Sequence, residues 1–112
     1  MATLRISGTT RDALERTALF LRAQAEWLQA TGSEQTLPQV RRYIETLERL
    51  ARSSQAVTVS PEECEALQQA AFLLEGGRNS YKNTDFVDRA QKVDRDLAEV
   101  YNLLKECNAA DQ

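Results

Sequence analysis

Laid over itself at an offset of 53 residues, this 112-residue chain matches without a gap. Leu4-Arg5-Ile6-Ser7 falls on Val57-Thr58-Val59-Ser60, and Asp12-Ala13-Leu14-Glu15 falls on Glu65-Ala66-Leu67-Gln68. Ala18, Leu19, Phe20 and Leu21 fall on Ala71, Phe72, Leu73 and Leu74. Further on, Val40, Arg42, Ile44, Leu47 and Leu50 meet Val93, Arg95, Leu97, Val100 and Leu103. A short β-like segment thus recurs at the same offset as two helical segments, which reads as a tandem duplication. The expectation is a single helical domain, 1–112, made of two strand–helix–helix repeats at about 3–53 and 56–106.

Within each repeat the period of the apolar residues names the element. Thr3 to Ser7 and Ala56 to Ser60 alternate, with Leu4, Ile6, Val57 and Val59 on one face. A lone strand leaves its backbone groups without partners, so the two are expected to pair as a short antiparallel ribbon. A first helix over about 10–30, capped by Thr9 or Thr10, carries a seam of Leu14, Ala18, Leu21, Ala25 and Leu28. A second, over about 37–52, has Pro38 in its first turn and a stripe of Val40, Ile44, Leu47 and Ala51. Arg41–Glu45, Glu45–Arg49 and Glu48–Arg52 are spaced to pair along its wet side. Ser60-Pro61-Glu62-Glu63 opens a third helix with the residues of a capping box, and Gly76-Gly77 is expected to stop it. A fourth, over about 84–106, is expected to bury Phe86, Ala90, Val93, Leu97, Val100 and Leu104, with Asn108–Gln112 as a frayed tail. The fold class that follows is mainly α: four helices in two pseudo-symmetric hairpins, joined by a two-stranded ribbon. Only four glycines and two prolines occur, which agrees with long helices rather than a many-turned β fold.

Composition limits the chemistry. There is no histidine, which removes the commonest general base and metal ligand and any Ser-His or Cys-His pair. No phosphate-cradling glycine loop, nucleophile elbow or calcium-loop motif is present. Acidic clusters at Glu62-Glu63-Glu65 and Asp94-Asp96-Glu99 read as a dipole-compensated helix start and a solvated helix surface. The expectation is therefore a protein that is not an enzyme, with no catalytic residue, metal site or cofactor. Cys64 and Cys107 have no CxxC spacing and read as free, half-buried thiols in a reducing cytoplasm. No apolar run reaches the roughly 18 residues that span a bilayer, so no membrane partner is expected.

Three sets of residues are candidates for binding. Phe20 and Trp27 lie seven apart on one face of the first helix and are expected to pack on the fourth helix or form a dimer contact. The segment 76–85 is expected to be a loop whose Arg78, Tyr81 and Lys82 are suited to a phosphate or an acidic peptide. Thr3, Arg5 and Thr58 are expected on the outer face of the ribbon. The charge is also uneven: eight arginines and six acids up to Ser53 are followed by six basic groups and eleven acids. Such polarity suits a protein partner or self-association.

The strand–helix–helix unit, with Thr3, Arg5, Ser7, Thr58 and Ser60 on the ribbon and Thr31-Gly32-Ser33 before the second helix, resembles the ribbon-helix-helix DNA-binding family. That resemblance implies a fused dimer whose ribbon enters a major groove, and hence a DNA-binding regulator. The chain's net charge of −3 speaks against it, because a phosphate-binding surface is normally basic. The leading expectation is a cytosolic, non-enzymatic interaction or adaptor module.

Overall fold

The computed structural model describes residues 1–110, in the order β1 (Ala2–Arg5), α1 (Gly8–Ala30), α2 (Leu37–Ala51), β2 (Ala56–Val59), α3 (Pro61–Lys82) and α4 (Val87–Ala110). A single 3₁₀ turn, Glu34–Thr36, precedes α2. Helix α1 packs on α2 and α3 on α4, giving the two hairpins of the expected mainly α fold. The strands form a two-stranded antiparallel ribbon in which Leu4 faces Val57, flanked by Thr3 opposite Thr58 and Arg5 opposite Ala56. Beyond Arg5, the Ile6 N–H donates to the Gln55 carbonyl at 2.8 Å.

Alternation along the ribbon sorts its residues into two faces. Ala2, Leu4, Ile6 and Val59 are buried, whereas Thr3, Arg5, Ala56 and Thr58 are exposed. The buried face sits on a core shared by both hairpins, to which Leu14, Leu21, Leu47, Leu50 and Leu67 contribute fully buried side chains. A second cluster of Ala71, Leu74, Leu97 and Val100 lies between α3 and α4, with Phe20 packed against both clusters.

Helix starts follow capping chemistry. Ser60 Oγ accepts the Glu63 N–H at 3.2 Å and the Glu63 carboxylate accepts the Ser60 N–H at 3.0 Å, completing the capping box behind Pro61. At α1 the cap is Ser7, not Thr9 or Thr10. Ser7 is still extended and its Oγ accepts the Thr10 N–H at 3.1 Å, so the helix begins at Gly8. After α1, Gly32 takes φ +78°, a conformation that favours glycine.

Several expectations give way to tertiary packing. Helix α3 runs straight through Gly76-Gly77 to Lys82, so 76–82 is helix rather than loop. Glycine costs roughly 1 kcal/mol in a helix interior, and packing overrides it here: the Phe20 ring occupies the space a Cβ at Gly77 would need. Helix α4 begins later than expected, at Val87, and Phe86 before it is 50% exposed rather than core. Asn108–Ala110 continue α4 instead of fraying, while Asp111 and Gln112 lie outside the described residues. Cys64 and Cys107 are not free thiols but form a disulfide, with Cα atoms 6.1 Å apart. Their 43-residue separation hides the reason: the α3–α4 hairpin folds back and brings the start of one helix beside the end of the other. The arginines and acids of α2 likewise bond between helices: Arg22 of α1 to Glu48, and Arg49 to Glu63 of α3. Among the described residues no helix is long and apolar enough to cross a membrane.

Candidate functional site

Beside the contact of Phe20 with Gly77, helices α1 and α3 and the start of α2 enclose an open groove of about 750 Å³. From α1 come Phe20, Ala23, Gln24, Trp27 and Leu28, at the i, i+3, i+4, i+7 and i+8 spacing of one helix face. From α2 come Gln39, Val40 and Tyr43, with Thr36 just before them. From α3 come Gln69, Phe72, Leu73, Gly76, Gly77, Ser80 and Tyr81. Among the described residues no Asp, Glu, Lys or Arg lines the groove, although 28% of the chain is charged.

Two aromatic residues of the lining stand out into solvent. Trp27 is 64% exposed and Phe72 71% exposed, against the usual burial of such large apolar surfaces. Gly76, also in the lining, is exposed, and an added Cβ there would meet nothing within 4 Å. The groove therefore offers apolar surface, amide and hydroxyl groups at its edge, and no charge. Its volume falls in the range of pockets that take small molecules.

Between α1 and α4 the corresponding positions carry an ion pair. Gln69 and Tyr43 of the groove correspond, at the 53-residue offset, to Arg16 and Asp96. Arg16 grips Asp96 in a bidentate pair, with Nη2 to Oδ1 at 2.8 Å and Nε to Oδ1 and Oδ2 at 3.0 and 3.1 Å. Asp96 is buried, and its hydrogen bond holds the Arg16 guanidinium above its ordinary pKa. Glu99 accepts from the Thr10 hydroxyl at 3.0 Å and Asp94 from Arg78 at 3.0 Å, so each carboxylate of that acidic cluster already has a partner. Tyr101 donates to Glu75 at 2.8 Å, and that bond, with burial, raises the phenol above its ordinary range.

The residues singled out in sequence separate on the structure. Phe20, Trp27 and Tyr81 come together on the groove. Phe20 packs against Gly77 of α3 and against the cluster that holds Leu97 and Val100 of α4. Arg78 turns away to Asp94 and Glu75, so it is not an unengaged cation for a phosphate. Lys82 is the exposed last residue of α3 and does not line the groove, while Tyr81 meets Phe86 edge to face at 6.4 Å. Thr3, Arg5 and Thr58 share the exposed face of the ribbon, as expected. The Arg5 N–H is held by the Glu106 carboxylate at 2.9 Å, which sets an acid beside the only base on the ribbon. Phe72 was missed. The available signal was its position off the Leu67–Ala71–Leu74 seam, matching Leu19, which is 65% exposed. Comparison with protein-family models, with curated proteins and with solved structures finds no match for this chain.

Proposed function

We propose that this chain is a non-enzymatic protein-interaction module whose docking surface is the charge-free groove between α1, α2 and α3. The observation that carries the reading is Trp27, 64% exposed at the groove's edge and facing solvent together with Phe72. Exposed aromatics beside an open apolar floor are the raw material of binding hot spots, and their burial against a partner removes apolar surface from water. A photo-reactive phenylalanine analogue in place of Phe72, introduced in the native cell, tests it. An adduct of one defined mass that disappears with Trp27→Ala supports the module, and an adduct of twice the chain's mass identifies self-association. Equal labelling from a control position such as Arg41 sinks the reading.

A second reading, DNA recognition by the ribbon, draws on the outward Thr3, Arg5 and Thr58. Salt-sensitive mobility shifts of duplex DNA that vanish with Arg5→Ala would favour it over the groove. The chain's net charge of −3 and the carboxylate of Glu106 beside Arg5 weigh the other way. The Cys64–Cys107 bond weighs against a reducing cytoplasm, since disulfides persist chiefly in oxidising compartments.

A further inference from the structure

The two hairpins are fastened at the same place by different chemistry. In the first, Arg11 in the opening turn of α1 reaches the end of α2, donating from Nε to the Ala51 carbonyl at 2.8 Å and from Nη2 to the Ser53 carbonyl at 3.0 Å. In the second, Cys64 in the opening turn of α3 is bonded to Cys107 near the end of α4. Arg11 and Cys64 are matching residues at the 53-residue offset. A hydrogen-bonded fastening thus suffices for one hairpin, and the covalent one stands where the architecture does not demand it.

We infer that Cys64–Cys107 is a reversible redox clasp on the end of α4, opened by a dithiol reductant. Cys64 is half-buried and, with Cys107, lines a crevice of about 210 Å³ between Met1, Pro61, Gln68 and Leu104, so a thiolate can reach its sulfur. Attack there forms a mixed disulfide with Cys64 and expels Cys107 as a thiolate, which takes up a proton. The reductant's second thiol then displaces Cys64 and closes its own disulfide. Two electrons and two protons pass from the dithiol to the protein.

What the clasp governs is set by its neighbours. Glu106, next to Cys107, covers the free edge of β1 through the Arg5 N–H. Opening the bond therefore loosens the last turns of α4 and uncovers that edge, while the Arg11 fastening keeps the first hairpin closed.

The experiment uses the full chain, oxidised, treated with dithiothreitol in native buffer, alkylated with iodoacetamide, and read by intact mass and amide hydrogen exchange. Two alkylated thiols per chain are expected without denaturant. Exchange is expected to rise at least roughly tenfold over Val100–Cys107 and at Arg5, with 8–51 unchanged. A double Cys64→Ser, Cys107→Ser variant should show the reduced pattern and ignore dithiothreitol. Reduction only in denaturant, unchanged exchange after reduction, or acceleration spread evenly over the chain would each overturn the inference.

Discussion

The Phe20 ring lies against Gly77 so closely that a Cβ at that glycine would stand 2.3 Å from the ring's Cζ. Its neighbour Gly76 has open space in the same position. Both are helical glycines, so replacement by alanine brings the same gain in helix propensity. Gly76→Ala is expected to raise stability by about 0.5–1 kcal/mol. Gly77→Ala displaces the ring and is expected to lower stability by about 1 kcal/mol. In a Phe20→Ala background that penalty should vanish. Urea unfolding of the four variants reads the coupling, and equal effects at both glycines would remove the role assigned to Phe20.

Arg16 and Asp96 tie the first hairpin to the second, with the carboxylate buried and the arginine largely in water. Arg16→Met leaves a buried carboxylate without its partner. The cost is expected at about 1–2 kcal/mol, below that of a fully buried pair because solvent screens the arginine end. Replacing both residues with apolar ones of similar size should recover most of it. Denaturant midpoints measured at constant slope provide the test.

Trp27 and Phe72 contribute surface rather than core. Trp27→Ala and Phe72→Ala are each expected to change folding stability by less than about 0.5 kcal/mol, the range for surface positions away from special features. Both should lower the fluorescence of an apolar dye bound to the groove. A loss of several kcal/mol on removing Trp27 would mean that the residue serves the fold.

The Tyr101 phenol, bonded to the Glu75 carboxylate, ionises above its ordinary value of 10.0. The folded state therefore holds that proton more tightly than the unfolded chain. Its contribution to stability is fully present below the unfolded value and is lost as pH rises through the folded one. An absorbance titration near 295 nm should show a late step that is lost in Tyr101→Phe and shifted earlier in Glu75→Gln.

Much of the architecture was legible because it follows from period and caps. The seams through Leu14, Leu47 and Leu97 placed three helices, the Ser60-Pro61-Glu62-Glu63 start placed the third in chain order, and the alternation around Leu4 and Val57 placed the ribbon. What escaped depends on residues remote in sequence. Gly76-Gly77 looks like a helix stop until Phe20 arrives from another helix to fill the gap. Glu48 has Arg52 at helical spacing, yet bonds Arg22, because a neighbouring helix offers a cation at 2.6 Å. Cys64 and Cys107 give no sign of pairing until the hairpin closes. For the site, Trp27 was visible as an aromatic on a crowded apolar face, whereas Arg78 lost its proposed ligand to Asp94.

The ribbon ties the fates of the hairpins together, since each contributes one strand and neither holds a mate for its own. Severed into separate polypeptides, the halves would be driven to reunite by the bare main-chain groups each one carries. Intact molecules already satisfy those groups within the chain, and at high concentration trading strands between neighbours would yield interlocked pairs without a single new contact type.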